Sequence, residues 1–319
     1  MIVLHDELII GIDLGGTNIK GALVDSGGHI ISKQKAATLA NTGPRAVAER
    51  ISRIIGDLES QAAAAGKKVA GIGVGIPGQA DQTRGTVFFA PNLHWRDVPL
   101  VEYLRSRTIL PVYLENDANA AALGEQWLGA GRGSVNMVMI TIGTGIGGGL
   151  ILNGSLYSGT NGSAGEVGHM VIDPDGPLCS CGQRGCLETL TSATAMVRMA
   201  KEAIDQGKKT ILAREENLEA RDIVMAAQAE DKVALLIIDV AARYLGMGLG
   251  NVINLFNPDT IVIGGGVSKA GDILFEPLRR EAVKRSLEAP ARVVKIVPAE
   301  LGNDAGCIGA AKLVLLTAD

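Results

Sequence analysis

Leu8-Ile9-Ile10-Gly11-Ile12-Asp13-Leu14 runs into Gly15-Gly16-Thr17, and Val135-Asn136-Met137-Val138-Met139-Ile140-Thr141-Ile142 runs into Gly143-Thr144-Gly145. Both are short apolar runs closed by a glycine- and threonine-rich turn, which is how a buried strand and its turn read. A second apolar run follows each turn, through Leu23-Val24 in the first copy and Leu150-Ile151-Leu152 in the other. Aligning Asp13 with Thr141 sets Gly15 on Gly143 and Gly21 on Gly149. A repeat on this scale predicts two related α/β halves, each opening with a strand-turn-strand hairpin.

Outward from these hairpins, strands alternate with helical periodicity. A third strand is expected over residues 29–36, a helix over 44–65, and a strand over 69–76 that ends at Pro77-Gly78. A helix over 98–107 leads to a short strand, 112–114, which delivers Glu115-Asn116-Asp117 to an alanine-rich helix over 118–128. The later part is helix-rich from 192 to 250. Then come a strand at 260–263 ending in Gly264-Gly265-Gly266, a helix over 273–287, a strand over 293–297 and a closing helix over 307–316. Such alternation indicates an α/β architecture, and 319 residues suffice for two domains. Ligands in these folds sit beyond the carboxyl ends of strands and in clefts between domains.

Composition narrows the function classes. Hydrophobic residues make up 47% of the chain but aromatics only 3%, so the core must be aliphatic. The 42 glycines are about twice the average share of roughly 7%. They stand beside short apolar runs, as tight turns and close backbone approach to a ligand require. A net charge of -4 gives no basic footprint for nucleic acid. The sequence shows neither a cationic-apolar leader nor an uninterrupted run of about eighteen apolar residues. The expectation is a cytoplasmic protein with no membrane and no nucleic-acid partner.

Several groups carry chemistry. In Asp13-Leu14-Gly15-Gly16-Thr17 the glycines let backbone N–H groups approach phosphate oxygens, and the Thr17 hydroxyl adds a donor. Asp13 can hold Mg²⁺ through water, because that ion keeps much of its hydration shell. Facing it, Thr141, Gly143, Thr144 and Gly145 complete a clamp for a nucleotide triphosphate tail; neither turn has the Gly-Lys-Ser/Thr of a P-loop. A purely structural hairpin remains the alternative for each. Gly264, Gly265 and Gly266 are either a helix-entry turn or a flat backbone surface for adenosine. Asn116-Asp117 reads as a helix cap, or as a carboxylate that accepts a proton from an attacking hydroxyl. Asn92, after Ala90-Pro91, is a loop amide that also fits a turn.

Three of the four cysteines, Cys179, Cys181 and Cys186, share one short run, and His169 precedes them. Three thiolates and an imidazole fill a tetrahedral zinc shell with no open position, the form of a structural site. Packed reduced thiols are the alternative; a disulfide would leave one thiol over. Glu166 and Glu188 frame the group, either as solvated charges or as acceptors held rigidly for hydroxyls. Cys307 is expected in the core, and His5 and His94 at the surface or in packing.

Together, Asp13-Leu14-Gly15-Gly16-Thr17, Glu115-Asn116-Asp117-Ala118-Asn119, Gly165-Glu166-Val167-Gly168-His169 and the run from Cys179 to Glu188 resemble the ROK family of repressors, open reading frames and kinases. The resemblance covers nearly the whole chain. It implies an actin-like, ribonuclease-H-like ATPase fold of two α/β domains around a cleft. The smaller domain would comprise residues 1–117 with 306–319, and the larger, zinc-bearing one 118–305. It implies Asp117 as catalytic base and sugar contacts from Gly78, Asn92, Asn116, Asp117, Glu166, His169 and Glu188. His169 would serve zinc and sugar through its two ring nitrogens. ATP would phosphorylate the 6-hydroxyl of glucose with Mg²⁺; N-acetylmannosamine, N-acetylglucosamine or a silent sugar-binding regulator are the alternatives. Family members are commonly homodimers or homotetramers. The repressor branch carries an N-terminal helix-turn-helix domain, for which the short stretch before Asp13 leaves no room.

Overall fold

The computed structural model describes residues 7–317; His5 and the outer ends of the expected smaller domain, 1–6 and 318–319, lie outside them. The first half comprises β1 (Glu7–Leu14), β2 (Asn18–Val24), β3 (Ile30–Ala37), α1 (Pro44–Ala64), β4 (Lys68–Ile76), β5 (Gln79–Asp81), β6 (Thr86–Ala90), β7 (Trp95–Val98), α2 (Leu100–Arg105), β8 (Val112–Asn116) and α3 (Asp117–Leu128). The second comprises β9 (Met137–Ile142), β10 (Ile146–Leu152), β11 (Ser155–Leu156), α4 (Leu187–Thr191), α5 (Ala193–Asp205), α6 (Ala220–Gln228), α7 (Lys232–Phe256), β12 (Thr260–Gly265), α8 (Asp272–Arg285), α9 (Glu288–Val293), β13 (Lys295–Pro298) and α10 (Ala305–Thr317).

Two five-stranded sheets share one plan, β3-β2-β1-β4-β8 and β11-β10-β9-β12-β13. In each, an antiparallel hairpin supplies the middle strand, and parallel strands extend the other side. The turns differ in length. Asp13 pairs with Lys20, whereas Thr141 pairs with Gly147, so the second turn is one residue tighter. The gap-free alignment therefore holds as far as the turn and then slips. Gly21, opposite Ile12, corresponds to Gly148, opposite Ile140, and not to Gly149. With a side-chain period of two, a one-residue slip reverses the face each side chain occupies.

Alternation along β1 serves two layers. Leu8, Ile10, Ile12 and Leu14 face a core with Val47, Ile51, Ile54, Ile55 and Leu58 of α1, which recur at helical spacing. Ile9 faces Cys307, Ala311 and Val314 of α10. Gly11 and Gly73 allow that helix to lie on the sheet, since a Cβ at either would strike the carbonyl of Cys307 or Ala310. α10 then meets α3 at Gly124 and Gly309, where backbone touches backbone, and α3 rests on Gly147 and Gly149 of β10 through Ala118 and Ala122. One helix pair thus joins the two sheets. The second sheet has its own core with α5 to α8. α7 is long and apolar enough to cross a membrane by length and composition alone, but 56% of its most apolar window is buried within the protein. Within it, Asp239 and Arg243 pair at 2.7 Å.

Three local expectations change. The helix expected over 98–107 is confined to α2, because Val98 belongs to β7 and Pro99 cannot continue a strand ladder into the helix. The strand expected from Val293 begins at Lys295, because α9 winds up to Val293. The small sheet β5-β6-β7 was not foreseen; its three strands are only three to five residues long.

Candidate active site

A cleft of about 490 Å³ is walled by residues from both sheets. It gathers Asp13, Gly15, Gly16, Gly78, Asn92, Asn116, Asp117, Thr141, Gly143, Thr144, Gly145, Glu166, His169, Glu188, Gly264, Gly265 and Gly266. Thr17 is not in the lining; its carbonyl accepts from the Thr38 N–H at 2.8 Å. The three clustered cysteines stand behind the wall. Sequence reasoning missed Lys20, Met139, Asn303 and Gly306, which also line the cleft.

Asp117 is positioned by the end of β8. Asn116 adopts extended backbone, and its Oδ1 accepts from the N–H groups of Ala118 (2.9 Å) and Asn119 (3.1 Å), capping α3. The cap and the carboxylate are thus adjacent residues with separate tasks. The Asn116 Nδ2 donates to the Gly78 carbonyl at 2.9 Å. Gly78 has φ 106, and a Cβ there would collide with Phe89, so the close approach of β6 demands glycine. Behind this turn the buried Glu115 accepts from the Asn116 N–H (2.8 Å), from Asn119 Nδ2 (2.9 Å) and from Gln82. Loss of hydration pushes the Asp117 carboxyl up to about 7, with the negative charges of Asp13 and Glu166 adding to the effect and the Ala118 N–H opposing it. A carboxylate so tuned suits proton acceptance near neutrality.

The opposite wall comes from the segment before α5. Cys179 Sγ lies 3.6 Å from His169 Nδ1, and Cys181 Sγ lies 3.6 Å from Cys186 Sγ. All four ligand atoms fall within 4.8 Å of one another. Zn–S bonds of about 2.3 Å set tetrahedral edges of roughly 3.8 Å, so these thiols and the imidazole fit a closed zinc shell. Backbone bonds brace the same loop: Leu187 donates to Met170 at 2.8 Å and Ile172 to Gly185 at 2.9 Å. Glu188, in the first turn of α4, has Oε1 at 3.0 Å from Cys179 Sγ and 3.9 Å from His169 Nδ1. Glu166 precedes the 3-10 turn that carries His169. Its carboxyl is raised by desolvation, lowered by His169 and raised again by Glu188.

The remaining wall is backbone. At Gly143 and Gly266 an added Cβ would meet nothing within 4 Å, so a side chain there would stand in the cleft. Such glycine-lined turns present N–H groups suited to phosphate and fit a nucleotide. Asp13, in the same lining, is an oxygen donor suited to Mg²⁺ with water. Its Oδ2 holds Lys20 Nζ at 2.9 Å.

Comparison with known proteins places this constellation. The sequence pattern of the ROK family matches residues 9–316. The chain belongs to the ROK family. A glucokinase of Halalkalibacterium halodurans is 42% identical over 98% of this chain and 96% of its own. The crystal structure of a ROK family glucokinase from Streptomyces griseus, in complex with glucose and AMPPNP, superposes with a TM-score of 0.82 at 38% identity, covering 96% of this chain and 98% of that one. A ROK family transcriptional regulator, a homologue of the E. coli MLC protein, superposes with a TM-score of 0.88 at 31% identity; the match covers 97% of this chain and 78% of the regulator. This ROK chain therefore has the two-domain actin-like, ribonuclease-H-like ATPase fold, with the cleft between its α/β halves.

Proposed function

We propose that the protein is an ATP-dependent glucokinase, with Asp117 as the base. The glucose 6-hydroxyl oxygen bonds to the γ-phosphorus of ATP while the bond from that phosphorus to the β–γ bridging oxygen breaks. ADP leaves with the electron pair, and Asp117 takes the hydroxyl proton. Phosphoryl transfer asks the protein mainly for positioning and charge neutralisation. The carrying observation is the single cleft in which Asp117, its carboxyl held near 7, faces both the glycine turns and the Glu166–His169–Glu188 wall. The glucokinase relatives at 42% and 38% identity support the choice of sugar and of ATP.

Asn92, Asn116, Glu166, His169 and Glu188 would bind the sugar hydroxyls. His169 Nδ1 faces the thiols, which leaves Nε2 for the sugar. Zinc on His169, Cys179, Cys181 and Cys186 would hold that wall in place without entering the reaction. Mg²⁺ beside Asp13 would neutralise phosphate charge. Four cysteines that form no disulfide suit a reducing, cytoplasmic setting. The packing of α10 on β1 and β4 supports a smaller domain of residues 1–117 with 306–319, closing against 118–305 to exclude water.

ADP release with Mg²⁺-ATP, measured against glucose, mannose, fructose, N-acetylglucosamine and N-acetylmannosamine, tests the proposal. Glucose is expected to be preferred. Preference for an N-acetyl sugar would replace the substrate, and sugar binding without ADP release would replace the kinase with a sugar-responsive regulator.

A further inference from the structure

Residues 299–304 carry the chain from β13, in the second sheet, to α10, the helix that lies on the first. The segment holds only a short 3-10 turn, Gly302–Asp304, yet Ala299, Gly302 and Asn303 line the cleft. Its ends stand beside groups of the nucleotide end. A Cβ at Gly264 would lie 3.4 Å from the Ala299 Cβ, and one at Gly306, just inside α10, would lie 2.9 Å from the Asp13 Cγ. Whatever fixes this crossover therefore fixes part of the nucleotide wall.

A carboxylate from another element fixes it. Glu125, in the last turn of α3, is fully buried. Its Oε1 accepts from the Leu301 N–H at 2.8 Å, and its Oε2 accepts from the Glu300 N–H at 3.2 Å and the Ala130 N–H at 2.9 Å. A buried carboxylate is costly unless it is hydrogen-bonded, and here backbone N–H groups supply the bonds. An acceptor-only group with lone pairs on two oxygens is what three donors from two segments require. The turn after α3 is shaped to admit it, since a Cβ at Gly129 would strike Oε2. The same helix opens with Asp117. Eight residues at 1.5 Å each set the clamp ~12 Å along the axis from the proposed base. α3 thus spans from the reacting end of the cleft to the support of the crossover.

We infer, resting on the kinase reading of the cleft, that Glu125 is a positioning residue for the nucleotide: it holds the crossover so that Gly302 and Asn303 form the nucleotide wall at a set distance from Asp117. Glu125→Gln keeps the shape but offers an amide NH₂ where at least one N–H needs an acceptor. KM for ATP is expected to rise ~10-fold, the scale of a lost hydrogen bond to a charged group, while KM for glucose stays within about twofold. Amide exchange at residues 300–301 should quicken in the same variant. Asn303, on the exposed face of the crossover, supplies the second variant. Asn303→Ala should fold normally and raise KM for ATP roughly three- to tenfold, the scale of one neutral hydrogen bond. In the Glu125→Gln background the same substitution should cost less than about twofold, because the side chain is already displaced.

A lower melting temperature in Glu125→Gln with KM for ATP within twofold of the parent would leave Glu125 a role in the fold alone and overturn the inference. Full additivity of the two substitutions would overturn it as well. If Glu125→Gln does not fold, the parent and Asn303→Ala decide. Amides 300–301 should exchange slowly with or without ADP, and 302–303 should slow only when ADP binds. Fast exchange at 300–301, or an unchanged KM for ATP in Asn303→Ala, would overturn the inference. Absence of sugar-dependent ADP release in the unsubstituted protein would count against the kinase proposal instead. Calorimetric affinity for ADP then replaces KM as the readout for Glu125, and a parent that binds no ADP would overturn both.

Discussion

The two ends of the cleft are built from different materials. One end presents side chains: Asn92, Asn116, Asp117, Glu166, His169 and Glu188. Most of these are held by something behind them, as Asn116 is by Gly78 and Glu188 is by the thiol cluster. The other end presents mostly backbone at three glycine turns, with Asp13 and Lys20 as its charged groups. Directional acceptors on fixed side chains can distinguish one pattern of hydroxyls from another, whereas a row of N–H groups grips phosphate whatever it is attached to. The ends come closest where a Cβ at Gly145 would lie 2.5 Å from Glu188 Oε2, and they also approach where one at Gly16 would lie 3.5 Å from Asn92. Substitution at the side-chain end should therefore change chemistry or sugar binding, and substitution at an open, cleft-facing glycine of the backbone end only the room left for the nucleotide.

The largest expected effect is at Asp117. Asp117→Asn should lower kcat by ~10²–10⁴-fold, the range for loss of a general base, with KM for glucose changed only a few-fold. The pH profile sharpens the assignment. Below about 7 the carboxyl retains its proton and cannot take another, so kcat/KM of the parent should rise with pH and level off above that value. Stability runs the other way. A raised carboxyl favours the folded state when protonated, so its contribution is full below the ordinary value of 3.8 and is lost as pH rises through about 7. Asp117→Asn should accordingly melt higher than the parent at pH 8, with the gain shrinking toward pH 4. A flat pH–rate profile between 5 and 8, or a variant with parental turnover, would remove Asp117 from the role.

Cys181→Ser tests the rigidity of the side-chain end. Cys181 is the exposed thiol of the cluster, and its loss leaves three of four ligands. Zinc content should fall, and KM for glucose should rise by ~10–100-fold, equivalent to one hydrogen bond to a charged group at about 1.5–3 kcal/mol. KM for ATP should move little. A variant depleted of zinc that binds glucose as tightly as the parent would show that backbone bonds alone hold Glu188 and His169.

Much of this division was legible in the sequence, and what was missed has physical causes. Apolar runs with glycine turns identify buried strands, and the hairpins, β4, β8, α1, α3 and α10 follow from period and composition. Glu166 and Glu188 could be read from composition either as solvated charges or as fixed acceptors, and it was the resemblance to the ROK family that put them with His169 in the cleft they line. Lys20 was not legible, because its place depends on turn length. One residue fewer, as in the second hairpin, would have moved it off the pairing with Asp13. The β5-β6-β7 sheet was hidden because its strands are too short for a period to show, and β6 approaches Gly78 through a backbone contact that no pattern announces. Asn303 and Gly306 reach the cleft only because α10 returns to the first sheet, a long-range contact with no local signature.

The smallest expected effect separates room from strain at the backbone end, using two neighbouring glycines. Gly265 has φ 95, and a Cβ there would strike the Ile142 carbonyl, so Gly265→Ala burdens the fold itself and should lower the melting temperature. Gly266 starts a 3-10 turn, and its Cβ direction is open. Gly266→Val should fold normally and place its methyls in the space proposed for adenosine. KM for ATP should rise by about three- to tenfold, the scale of one or two methyl groups misplaced in a pocket at ~1 kcal/mol, while KM for glucose and kcat stay near parental values. Thermal melts and ATP titrations of the pair decide it. If Gly266→Val raises KM for glucose as much as KM for ATP, the two ends are not independent, and the contact of Gly145 with Glu188 becomes the path by which a change at one is felt at the other.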